Sequence, residues 1–114
     1  MKNFEKELEK LAMYIQAYED TSLNDGEALN ELLQKINVTL FYLEKERANF
    51  KKQYENRIFE LTTDKKMTVA RAVNFAEVEV PELYLLRRIM DSGYRCSDVI
   101  RTNISFLKSE KRNA

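Results

Sequence analysis

The sequence predicts an all-α protein, a long helical hairpin or bundle closed by coiled-coil seams, and three observations carry that expectation. First, two apolar ladders advance in steps of four and three: Leu29, Leu33, Ile36, Leu40, Leu43, Phe50, Tyr54 and Ile58, then Leu83, Leu86, Met90, Ile100, Ile104 and Leu107. That step keeps side chains on one side of a helix, so each ladder is a seam that must be buried against another helix. Second, Gly26, Gly93 and Pro81 are the only residues of their kinds, too few turn formers for a β-sandwich. Third, a third of the 114 residues are charged, so one domain spanning 1–114 has a modest core and self-association is a natural remedy.

The first helix is expected over about 3–19, with Asn3 as N-cap and Phe4, Leu8, Leu11, Ile15 and Tyr18 on one stripe. Asp20 to Gly26 concentrates side chains that bond their own backbone, which marks a turn. The second helix runs over about 27–61 without Pro or Gly, roughly 50 Å at 1.5 Å per residue, with opposite charges such as Lys51 and Glu55 four apart on its polar faces. Thr62 to Lys66 is a second break, and Thr68 caps a short third helix over 68–78 that carries Val69, Val73 and Phe75 or Ala76. Pro81 suits the first turn of a helix and excludes helical geometry at Val80, so the last helix spans about 82–110. Its seam is flanked by a second apolar row, Leu85, Ile89, Cys96, Val99 and Phe106, which makes this helix the expected centre of the bundle. Gly93 lies within it, where a glycine costs about 1 kcal/mol against alanine, so the close approach of a neighbouring backbone is expected there.

Composition removes several chemistries. No histidine is present and Cys96 is the one cysteine, which excludes histidine-activated nucleophiles, a cysteine and histidine zinc site and an internal disulfide. Cys96 itself reads as a buried thiol. Pairs such as Glu44 and Glu46, or Glu77 and Glu79, diverge on a helix and do not form the convergent carboxylates of acid and base catalysis. No Glu-x-x-His motif and no glycine-rich phosphate loop occurs. The chain therefore reads as a non-enzyme with no catalytic residues, no metal site and no cofactor. Charged residues interrupt the first eighteen positions, so no signal peptide or membrane span is expected and an intracellular setting is implied, which the family resemblance given below would make the cytoplasm of a bacterial host cell. The triplets Asn37-Val38-Thr39 and Asn103-Ile104-Ser105 match the glycosylation form but lie inside helix patterns, and are read as coincidental.

Net charge is zero yet uneven: residues 1–32 carry three basic and eight acidic side chains, residues 81–114 seven basic and four acidic. Ends of opposite sign would steer an acidic partner to the C-terminal part or let subunits associate head to tail. On a helical wheel Arg87, Arg101, Lys108 and Arg112 fall within about 60° of one another, with Arg88 and Arg95 on an adjoining line. Such a stripe follows phosphates through guanidinium forks, or else pairs internally with Asp91, Asp98, Glu110 or the acidic first helix. Of the aromatics, Tyr14, Tyr42, Tyr54, Phe41, Phe50 and Phe59 sit at helical spacing suited to core or interface positions, whereas Tyr84 and Tyr94 lie near the arginines and are the candidate stacking residues for unpaired bases.

From residue 50 onwards, Tyr54, Glu55, Leu61, Lys65, Thr68, Ala72, the run Glu82-Leu83-Tyr84 and the ending Asp98-Val99-Ile100-Arg101-Thr102-Asn103-Ile104-Ser105-Phe106-Leu107-Lys108 make a pattern. It resembles the small helical proteins of phages and integrated elements related to the recombination mediator UvsY. The resemblance implies a homo-oligomer that helps a recombinase load onto single-stranded DNA coated by another protein. It also implies that Arg87, Arg88, Arg95, Arg101 and Lys108 touch phosphates, while the neutral charge departs from that family's basic character. A competing expectation is an inhibitor of the anti-CRISPR type that docks onto a host defence nuclease or its guide RNA, with Asp20, Asp25, Glu27 and Glu31 imitating nucleic acid. A third is a coiled-coil assembly adaptor.

Overall fold

The computed structural model describes residues 3–113 and is all-α. Helix α1 spans Asn3–Asp20, α2 Gly26–Thr63, α3 Val69–Glu79 and α4 Pro81–Asn113. The expected elements are all present, with α2 and α4 each running two or three residues further than their patterns suggested. Asp25 closes the start of α2 by accepting from the Ala28 amide at 3.0 Å, and Thr68 does the same for Arg71 at 3.3 Å in α3. The N-cap expected of Asn3 falls at the edge of the described residues. Thr62 and Thr63 continue α2 because the Thr62 hydroxyl folds back onto the Ile58 carbonyl at 2.9 Å, and the break comes at Asp64 instead. Lys66, with φ 51°, turns the chain in the left-handed region. Val80 leaves helical geometry at φ −125° and ψ 64°, as the following proline requires.

The helices make a body of 68 × 30 × 19 Å, elongated along α2. Helix α2, 38 residues and about 57 Å long, touches all three others. Helices α3 and α4 both run antiparallel to it: Glu79 meets Arg57, the Tyr94 hydroxyl donates to Glu44, the Ser97 hydroxyl donates to Asn37 at 2.9 Å, and Leu107 lies beside Gly26. Helix α1 covers the groove between α2 and α4, from Phe4 edge-on to Phe50 at a ring separation of 5.1 Å to Tyr18, which accepts from Asn103. One half of the molecule is thus a three-helix bundle, and the other is the two-helix hairpin of α3 against the end of α2.

Burial follows that division. In the three-helix half Leu11, Leu29, Ile36, Leu43, Leu86, Met90 and Ile100 are fully enclosed, and α2 buries Leu32 and Thr39 beside Leu29, Ile36, Leu40 and Leu43 of its expected seam because two helices clasp it, while Leu33 of that seam is half-buried. In the hairpin half only α3 faces α2, so Tyr54 and Ile58 are half-buried while Leu61, Ala72 and Ala76 form the contact. Two expectations need correction. Helix α2, not α4, is central: of the flanking row on α4 only Cys96 is buried, and Leu85, Val99 and Phe106 face solvent because no helix lies on that side. On α3 the inward residues are Ala72 and Ala76, whereas Phe75 points outward beneath Arg71, whose guanidinium carbon is 5.8 Å from the ring centre. Phe41 and Phe59, read from the sequence as core or interface residues, lie outside the core of the single chain, and Lys45 covers the Phe41 ring at 5.5 Å.

Gly93 sits at a close approach, though of side chains and not of backbone. A β-carbon there would meet both methyls of Leu11 and one of Leu40 at 3.1 Å. Gly93→Ala should stay near wild type, since about 1 kcal/mol of helix propensity offsets the small shift of the leucine tips. Gly93→Val should destabilise by about 2 kcal/mol through overpacking, read as a lower urea midpoint with unchanged slope.

Candidate nucleic-acid interface

Helix α4 turns its wide solvent face outward for its whole length, because α1 and α2 cover only the side carrying Leu86, Met90, Gly93, Ser97 and Ile100. All six cations singled out in the sequence, Arg87, Arg88, Arg95, Arg101, Lys108 and Arg112, are exposed on it. Arg101 pairs with Asp98 one turn away at 3.5 Å, both largely solvated, an arrangement worth little. Among the described residues, Arg87, Arg88, Arg95 and Lys108 have no carboxylate within 4.0 Å. Internal pairing with the acidic first helix does not occur, since Glu7 holds Lys10 at 3.1 Å on its own helix. Tyr84 is 69% exposed at the start of the row. Tyr94 is held differently: its hydroxyl donates to Glu44 across the α2–α4 interface, so its ring is anchored and only its outer edge reaches solvent.

The acidic candidates gather at the far end of the molecule around the α1–α2 turn, where three of the four have local work. Asp25 caps α2, Glu27 sits in its first turn opposite the helix dipole, and Glu31 holds Lys35 at 3.5 Å. Asp20 is the exposed last residue of α1. The antiparallel path returns the C-terminal cations to the same place: Glu27, Asn30, Leu107, Lys108 and Lys111 line one groove of about 410 Å³. Charge separated along the sequence is therefore brought together in space at this end of the bundle.

A second concavity, of about 430 Å³, opens at the α3–α4 break and includes Tyr54, Glu77, Tyr84 and Arg87. The residues before the proline and those after it belong to separate helices, so their faces diverge and leave a cleft over Val80 and Leu83. Periodicity gave no sign of Glu77, and placed Tyr54 in a seam; only the break at Pro81 hinted at the cleft.

The asparagines of the two glycosylation-like triplets are used in packing, Asn37 accepting from Ser97 and Asn103 donating to Tyr18. Cys96 is buried, and desolvation raises its pKa and keeps the thiol protonated. Among the described residues no cluster of three cysteine or carboxylate side chains converges as metal ligands, and no helix is long and apolar enough to cross a membrane.

Partial burial, reinforced by the bond to Glu44, pushes the Tyr94 phenol up to about 12 from its ordinary 10. The folded state therefore holds this proton more tightly than the unfolded one. The contribution is fully present below pH 10 and is lost as pH rises through about 12. Absorbance titration should show a tyrosine component near pH 12, and Tyr94→Phe should abolish it. The chain matches no protein-family model, no curated protein and no solved structure.

Proposed function

We propose that this chain is a non-enzymatic accessory protein that binds single-stranded nucleic acid, or a nucleoprotein built on it, along the outer face of α4. The observation that carries the reading is the row from Arg87 to Arg112, exposed cations spread over about 38 Å of one helix and mostly free of carboxylate partners. A guanidinium without an internal partner keeps its fork for a phosphate, and neutralising phosphates releases condensed counterions. A single strand is favoured over a duplex because it can extend along a straight helix and unstack a base onto Tyr84. Zero net charge does not oppose this, since screening over about 8 Å makes the local field the relevant one. The resemblance of residues 50–114 to UvsY-related mediators supports the same reading and would make recombinase loading its purpose. The nuclease-docking alternative has less support, because Lys108 and Lys111 share a groove with Glu27 and dilute the acidic field.

Fluorescence anisotropy of a labelled single-stranded 20-mer, titrated over a salt series, checks the reading. Arg88→Ala, Arg95→Ala and Lys108→Ala combined should weaken binding and flatten the salt slope by about 0.7 for each phosphate that is no longer neutralised. Unchanged affinity and slope would remove α4 as the interface.

The hairpin half favours a second copy as partner. Phe59, Val69 and Val78 are exposed there, no third helix covers them, and residues 51–82 carry six basic and six acidic side chains, so two copies do not repel. Sedimentation velocity should give a mass above that of the 13.5 kDa chain, and Phe59→Glu with Val78→Glu should return it to that value. A monomer at high concentration would exclude self-association through this half.

A further inference from the structure

We infer that the cleft at the α3–α4 break is a nucleotide subsite at one end of the cation row, selective for a base with paired N–H donors, guanine above all. This rests on the nucleic-acid reading of α4 and makes it more specific. The cleft, about 430 Å³, is within the size range of small-ligand sites. Its parts correspond to those of a nucleotide. Val80 and Leu83, both buried, give an apolar floor. Tyr84, largely exposed, and Tyr54, half-buried, offer aromatic faces of the kind on which an unstacked base rests. Arg87 is an exposed cation without an ion-pair partner, and it is also the first member of the row, so a strand leaving the cleft continues directly onto α4. Glu77 supplies the one carboxylate of the lining.

That carboxylate selects the base. Ionised, it only accepts hydrogen bonds, and it accepts best as a pair. Guanine presents adjacent N1–H and N2–H donors that match both oxygens. Thymine and uracil present a single N3–H between two carbonyl oxygens, which repel a carboxylate. Glu77 has no cation within 4.0 Å among the described residues, in contrast to its neighbour Glu79, which two nitrogens of Arg57 hold in a fork. It is therefore free to receive a base edge.

The test compares two labelled single-stranded DNA 20-mers by anisotropy at low salt, oligo-dT and the same strand with an isolated guanine at every fourth position. Wild type should bind the guanine-bearing strand several-fold tighter. Glu77→Gln should bring the ratio of the two affinities to about one, weakening the guanine-bearing strand and, with the repulsion of the thymine carbonyls gone, binding oligo-dT no more weakly than wild type. Tyr84→Ala should weaken both strands about tenfold, and Tyr84→Phe, which keeps the ring, should restore them. Both positions are exposed, so the fold is not at stake. Equal binding of the two strands by wild type, or wild-type behaviour of Glu77→Gln and Tyr84→Ala, overturns the subsite and leaves the α4 reading standing. Failure of wild type to bind either strand overturns both.

Discussion

The constraint from which the rest of this structure follows is the need to cover α2. A helix of 38 residues with an apolar face along its length exposes more seam than any one neighbour of ordinary length can bury. The chain meets this by tiling. Helix α4 covers the longer part, from Gly26 to about Tyr54, α3 covers the remainder, and the single non-helical residue at Val80 lets the two follow one another along the same side. Helix α1, with 18 residues, is too short to add a third layer everywhere, and the bundle therefore changes from three helices to two partway along. The molecule's distinctive surfaces derive from that change. The cleft lies where the tiles meet, Phe59 and Phe75 are exposed where the third helix is missing, and the outer side of α4 is uncovered because α1 sits in the groove behind it.

The two halves also differ in what holds them. In the three-helix half the cohesion is apolar, from side chains such as Leu11, Ile36 and Met90 that are wholly enclosed. In the hairpin half alanines bring α3 close to α2, and the Arg57 fork onto Glu79, with a further bond to Glu60 at 3.1 Å, closes the hairpin. Those carboxylates hold the guanidinium proton above its usual range. Such a solvated cluster orients the helices more than it stabilises them. The hairpin is thus the part of the molecule whose local opening is easiest.

The helices were legible because their signals are local. Asp25, Thr68 and Pro81 act on their own neighbours, and their effects are seen where the chain places them. Which face of a helix meets which neighbour is not local. Leu85, Val99 and Phe106 satisfy the same spacing as buried residues, yet they face solvent because α1 occupies the other side of α4. The exposure of the arginine row was legible in part, since a wheel places the cations together but cannot say whether carboxylates from another helix reach them. The meeting of Glu27 with Lys108 and Lys111 needed the antiparallel path. So did the cleft, which joins Tyr54, Glu77 and Arg87 from three helices.

The bond between Ser97 and Asn37 lies deep in the interface, with Ser97 only 2% exposed. Leucine-rich seams are nearly periodic, and α4 could slide along α2 by a turn or a heptad while keeping most of its apolar burial. Any such slide would leave a serine hydroxyl or an amide without a partner among aliphatic side chains, a penalty of about 1–3 kcal/mol for each group. One polar pair in an otherwise apolar layer therefore acts as a registration pin, selecting a single alignment among several that hydrophobicity alone would accept.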